Sequence, residues 1–284
     1  MENSNPLQKY YRQPSIYVTL PSKGAYYDAN TFTPSESGEI PVYPMTAKDE
    51  IAFKTPDGLI NGESTVSVIK SCVPNLKNPW NLVNYDLDTV LLAIRVASYG
   101  ETMDISATVP NTNEQISHSV NLPALLETVK AVQINEVFTT KENFSVKVKP
   151  LTYKQINEMQ QKTFEQQKTV SAIEQSELSL DEKNKRFQDC FKALTDLNFD
   201  VLEKAIAEIT TPDGDKVQDP NMIKEFIANA NATMIKQIQE GVNSIRNQAV
   251  IKPLQMKSTE DQIKKGAPVN YTLPITFDNA NFFV

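Results

Sequence analysis

Residues 40–73 read IPVYPMTAKDEIAFKTPDGLINGESTVSVIKSCV. Ile40, Val42 and Tyr43 have strand character and run into Pro44. Thr46 follows, with Asp49 three residues later. That is the spacing of a capping box, in which a hydroxyl and a residue at the third helical position satisfy otherwise free backbone N–H groups. Asp49 and Glu50 also fall in the first turn, where the helix dipole favours negative charge. Ile51, Ala52 and Phe53 supply the buried side, and Thr55-Pro56-Asp57-Gly58 ends the helix with turn residues. Ser64 to Val73 is predicted as a second helix, with Val66, Ile69 and Val73 on one side. A short strand feeding two short helices is a scaffold of mixed type, and no residue pattern within it carries chemistry.

The rest of the chain is long enough to build on that scaffold. With 284 residues there is room for one large domain or two ordinary ones with a real core. A net charge of −7 argues against a nucleic-acid or anionic-membrane surface as the main role. Cys72 and Cys190 stand far apart without a Cys-x-x-Cys partner and read as small buried apolar residues. The N-terminus is polar, without the apolar core of a signal peptide, and no apolar stretch is long enough for a membrane span. The sequons at Asn143, Asn231 and Asn270 therefore read as incidental.

Upstream of the opening stretch, 1–15 reads as a mobile polar arm carrying Tyr10 and Tyr11, of the kind a partner orders. Ile16 to Leu20 is a strand ending in the turn Pro21-Ser22-Lys23-Gly24. Downstream, Trp80 reads as a core anchor. Asp86 is placed to cap a strong helix with Leu87, Val90, Leu91, Ile94 and Ala97 on its apolar stripe, and Gly100 ends it. Met103, Ile105, Ala107 and Val109 alternate, as do Ile116, His118, Val120 and Leu122, which predicts a hairpin. His118 is the one histidine. It lacks the converging groups that a metal or triad site needs, so a structural role is expected.

The segment 42–48 echoes 148–154, with a fainter copy at 251–254: strand, Pro, apolar residue, and in the first two a Thr. Either a structural repeat or an economical strand-to-helix joint explains it. From Thr152 to about Asp219 the chain is rich in Gln, Lys and Glu. A first helix there has a thin stripe of Ile156, Met159, Phe164, Val170 and Ile173. From Pro220 a single long helix is predicted, with Ile223, Phe226, Ala230, Met234, Ile238, Val242 and Ile245 at spacings of three and four. The tail alternates again at Val269, Tyr271, Leu273, Ile275 and Phe277, then ends Phe282-Phe283-Val284.

The predicted fold class is α+β. A mixed domain covers 16–150, a helical region 151–249, and an extended tail 250–284 whose strand returns to the N-terminal sheet. No Walker, Rossmann, Gly-x-Ser-x-Gly or His-Glu-x-x-His pattern is present. The candidate partner-contact residues are Tyr10, Tyr11, Phe277, Phe282, Phe283 and Val284, because aromatic groups near the chain ends are costly to leave in water.

Six stretches carry a resemblance in this order: Leu20–Gly24, Val42–Ile51, Leu59–Gly62, Val68–Val73, Leu92–Gly100 and Phe277–Phe283. Together they resemble the T4-type bacteriophage base plate protein family, whose type member is the baseplate hub subunit. Some relatives carry a Cys pair after the equivalent of Ser98-Tyr99-Gly100. This chain has Ser106, Ala107, Thr108 and Val109 there, so no metal staple is implied. The resemblance implies a structural hub subunit of a contractile tail, made in the host cytoplasm and located in the virion. Its partners would be other baseplate or tail proteins, with no nucleic acid, no membrane insertion, no cofactor and no catalytic residue; self-association stays open. The alternatives are an assembly chaperone absent from the mature particle and, more remotely, an enzyme with an unrecognised site.

Overall fold

A computed structural model of the chain describes residues 5–54, 62–130, 134–248, 251–273 and 275. The fold is mixed α+β and divides into two units, Met1–Val132 with Val250–Val284, and Gln133–Ala249.

In the first unit, β1 (Ile16–Val18) pairs antiparallel with β2 (Ile40–Val42). β2 leads into α1 (Ala47–Phe53), where Thr46 and Asp49 form the capping box that their spacing requires. α2 (Glu63–Cys72) follows, and then α3 (Asn84–Tyr99), which touches β1, β2, α2 and α4 (Leu122–Lys130). Eleven of the sixteen residues of α3 are buried, and Leu92 and Ile94, two residues apart, are both fully so. Two residues are about 200° around a helix, so α3 is enclosed on opposite faces and serves as the unit's central helix. It begins at Asn84, two residues before the predicted cap, and Asp86 has another task.

β3 (Thr102–Thr108) and β4 (Gln115–Asn121) form the predicted hairpin, with Ile105 opposite His118. The predicted return of the terminal strand to the N-terminal sheet is corrected. β10 (Asn270–Leu273) pairs with β9 (Leu254–Lys257), Tyr271 opposite Met256. α9 (Glu260–Lys264) lies between them, so local pairing closes a short loop instead of a very long one, at lower entropic cost. The tail meets the rest of the unit through side chains. Val109, Ala267 and Tyr271 share a small core, and Glu114 accepts from Gln262 Nε2 at 2.7 Å and Lys265 Nζ at 3.0 Å.

The second unit contains a four-stranded sheet beside the helices of the predicted helical region. Its strand order is β5 (Val137–Thr139), β6 (Ser145–Val148), β7 (Ile206–Thr210), β8 (Lys216–Val217), all antiparallel. Because β6 pairs with β7, residues 137–148 belong with this unit, and the seam falls at 132/133 instead of 150/151. α5 (Tyr153–Gln175) and α6 (Leu180–Ala205) form a helical hairpin. Sheltered positions recur at Met159, Thr163, Gln166, Val170 and Ile173 on α5. On α6 they fall at Lys183, Phe187, Cys190, Leu194 and Leu197. This four-three spacing is the seam of a two-helix coiled coil. Phe164 lies outside it and is 58% exposed.

The long helix predicted from Pro220 is two: α7 (Pro220–Asn229) and α8 (Ala232–Gln248). Ala230 turns extended, and Asn231 starts a new helix by accepting from Met234 N–H at 2.9 Å. The stripe continues across the break, and Ile223, Ile227, Met234, Ile238, Val242 and Ile245 share one core with Val146, Leu202 and Ile209. The echo between 42–48 and 148–154 is a local joint. Both threonines close capping boxes, but α1 has 7 residues and α5 has 23. Among the described residues β2 pairs only with β1, whereas β6 sits between β5 and β7.

Candidate functional site

The arm is the first place where the structure departs from the reading of the sequence. A short 3₁₀ helix, Pro6–Tyr10, is capped by Asn5. Arg12 then fastens the backbone to the opening scaffold. Its Nη2 donates to the Ser71 carbonyl at 2.7 Å and to Ser71 Oγ at 2.8 Å. Its Nη1 donates to the Pro44 carbonyl and to Asp49 Oδ2 at 3.3 Å. Asp49, the N3 acid of the α1 capping box, therefore also anchors the arm. Residues from Arg12 onward are tethered, which corrects the expectation of a mobile arm through Ser15. Nothing local in the polar segment marks Arg12 out, because only the fold supplies its partners.

Tyr10 and Tyr11 sit immediately before that anchor and point outward, 74% and 56% exposed. Lys9 Nζ lies 4.9 Å from the centre of the Tyr10 ring. Phe277, Phe282, Phe283 and Val284 lie outside the described residues.

A second constellation explains the Leu20–Gly24 turn. The Asp86 carboxylate is fully buried. Ser22 N–H donates to its Oδ1 at 2.9 Å, the Ser22 hydroxyl donates to Oδ2, and the Tyr27 hydroxyl donates to Oδ2 at 2.6 Å. Val83 N–H completes the set by donating to Tyr27 Oη at 3.0 Å. Burial raises the Asp86 carboxyl above the ordinary range, against the pull of the Ser22 and Tyr27 hydrogen bonds. Burial, then the adjacent Asp86, drives the Tyr27 phenol far upward. Such a network locks a turn. Gly24 is needed there, because its φ is +81° and a Cβ would come within 2.9 Å of the Phe32 ring.

Two further charged side chains on α3 have no hydrogen-bond partner among the described residues. Asp88 is pushed up to about 7 by burial. Arg95 is 7% exposed, lies over the Tyr99 ring at 4.6 Å, and has Nε and Nη1 unbonded. The cysteines are free and buried, and burial followed by Asp49 pushes the Cys72 thiol up to about 11, out of the reactive range. His118 is half-buried opposite Ile105 in the hairpin.

Among the described residues, no group of His, Cys, Asp or Glu side chains is placed to hold a metal ion. No helix among them is long and apolar enough to cross a membrane. What the geometry offers is surface: an aromatic pair on a fastened arm, and, in the second unit, grooves along α8. No curated protein and no solved structure matches the chain. Residues 14–264 do match the family described as T4 bacteriophage base plate protein, and the chain belongs to that family.

Proposed function

We propose that the chain is a structural subunit of the baseplate hub of a contractile tail, acting through contacts with other baseplate and tail proteins. The observation that supports this best is the pair Tyr10 and Tyr11, held in water on backbone that Arg12 fastens at the next residue. Large aromatic groups on a fixed support lose little entropy on contact and are the residue type that dominates interface energetics. Family membership gives the setting, a virion tail, and that role calls for neither a cofactor nor a catalytic group. The aromatic end, Phe277, Phe282, Phe283 and Val284, is proposed as a second contact on composition.

Mass spectrometry of purified particles tests the role. A small fixed copy number per particle is expected. Absence from particles, with loss of tails when the gene is disrupted, would overturn the subunit reading in favour of an assembly chaperone. The double variant Tyr10→Ser, Tyr11→Ser tests the contact: unchanged thermal stability with reduced incorporation is expected, and normal incorporation would remove the pair from the interface.

A further inference from the structure

The α5–α6 hairpin carries a second periodic row beside its seam. In an antiparallel helix pair, residues one position after the seam project from the same side of both helices, and residues one position before it from the other side. Met159 and Leu197, one from each helix, line the same small cavity, which sets them level across the seam. The row after the seam reads Gln160, Phe164, Gln167, Ser171 and Glu174 on α5. On α6 it reads Asn184, Gln188, Phe191, Thr195 and Asn198. All are exposed, and the one charge among them, Glu174, stands at the tip of the hairpin. The row before the seam begins Glu158, Lys162 and Glu165 on α5 and Glu182, Arg186 and Asp189 on α6, all charged and exposed. One face of the hairpin is therefore built for water, and the other repeats the four-three spacing almost without charge. Phe164 and Phe191 are 58% and 65% exposed on that second face. In the register set by Met159 and Leu197 they stand within about 2 Å of one level along the hairpin.

A helix that packs on one neighbour needs one such row; a second row, one position along, is what a helix in a four-helix bundle presents to its next neighbour. Charge and area select a second copy of this chain as that neighbour. The carboxamides and hydroxyls of the row both donate and accept, so the face is complementary to itself. Two chains of net charge −7 can meet there without like charges in the middle of the contact. At 1.5 Å per residue the exposed length of the hairpin is about 27 Å, and two helices side by side are about 20 Å wide. Each copy then offers about 540 Å² and the pair buries about 1,100 Å², against the roughly 1,000 Å² that a specific interface needs. Glu174 and Asp181 set the direction. Hairpins with their tips together would place these acids against their own copies, whereas a two-fold axis across the hairpin sends the tips to opposite ends. Such an axis at the level of the two rings brings all four rings together. We propose that the chain dimerises through this face, as an antiparallel four-helix bundle of two α5–α6 hairpins with Phe164 and Phe191 at its centre.

Sedimentation velocity on the full chain tests this. An interface of this size and polarity predicts micromolar dissociation, so the weight-average mass should rise from one chain toward two across about 1–200 µM. Phe164→Gln with Phe191→Gln removes both rings and keeps the row uncharged. Each ring is mostly exposed in the single chain, so unchanged circular dichroism is expected. The dimer should weaken by about tenfold or more, as expected for loss of central aromatic anchors. Phe191→Gln alone serves if the double variant misfolds. Lys162→Glu with Arg186→Glu, on the charged face, should leave the dimer intact. A nitroxide at Glu177→Cys, at the tip, reports the direction, because Cys72 and Cys190 are buried. A separation of about 40 Å between the two labels is expected from the helical rise. A single chain at every concentration, a dimer indifferent to loss of both rings, or labels closer than about 20 Å would each overturn the proposal. So would a chain that stays monomeric yet enters particles poorly once both rings are replaced, which would assign the face to another tail protein. The copy number in particles is a separate measurement: absence of the chain from particles sinks the subunit reading and leaves the dimer standing.

Discussion

Replacing Asp88 by Asn should stabilise the first unit at alkaline pH and leave it unchanged in acid. Asp88 lies on the central helix α3, half-buried, with no hydrogen bond from the described residues to offset burial, which pushes its carboxyl from 3.8 up to about 7. The folded state therefore binds a proton more tightly than the unfolded chain does. The stabilisation from that proton is fully present below about pH 4, shrinks as pH rises, and is gone above about pH 7. At 1.36 kcal/mol per pH unit the full displacement corresponds to about 4 kcal/mol. The side chain still touches water, which screens it, so about 2 kcal/mol is the working figure. Asparagine has the same shape and no charge at any pH. Trp80 is the only tryptophan and lies in the first unit, so urea denaturation followed by its fluorescence reports on that unit. The stability of Asp88→Asn relative to the unsubstituted chain should rise by about 2 kcal/mol between pH 4.5 and 8.5. Any fixed cost of the amide cancels in that comparison. A difference that stays constant to within about 0.5 kcal/mol, the usual error of additivity, would refute the argument that burial is what holds the proton.

Asp86→Ala leaves the Ser22 N–H, the Ser22 hydroxyl and the Tyr27 hydroxyl without their acceptor. A loss of about 2–4 kcal/mol in Trp80-detected unfolding is expected, and a negligible change would show that the turn does not depend on it. Arg12→Ala unfastens the arm. Chymotrypsin should cut at Tyr10 or Tyr11 about tenfold faster because local opening no longer works against the hydrogen bonds, whereas an unchanged rate would mean that the anchor is dispensable. Gly241 on α8 has no space for a Cβ, which would strike the Phe138 ring. Gly241→Ala should therefore cost about 1–3 kcal/mol by circular dichroism. Adding Phe138→Leu should recover part of that loss; no recovery would place the strain elsewhere.

Local patterns in the sequence proved reliable where a few neighbouring residues decide the outcome. The capping box at Thr46, the strand-to-helix joint at Thr152, the β3–β4 alternation and the start of α7 at Pro220 all follow from contacts within one turn or one hairpin. The family pattern was legible too, as an ordered set of short stretches. The Asp86 lock shows where legibility ended. A first-turn acid looks the same in sequence whether it caps its own helix or reaches a turn 64 residues earlier.

The remaining features depend on which elements meet in three dimensions. The single stripe from Ile223 to Ile245 is real, yet Asn231 divides the helix that carries it, because a capping amide competes with continuation at little cost. The sheet of the second unit was hidden because β6 and β7 are separated by the whole α5–α6 hairpin, and pairing across that distance leaves no periodic trace. Tyr10 and Tyr11 were visible as candidates, but their rigid presentation required Arg12 to find Ser71 and Asp49. Hydrogen bonding within a few residues was therefore determined by the sequence itself. The tethering of the arm, the pairing of distant strands and the burial of Asp86 against the Leu20–Gly24 turn were decided by tertiary structure, since each depends on groups that only folding brings together.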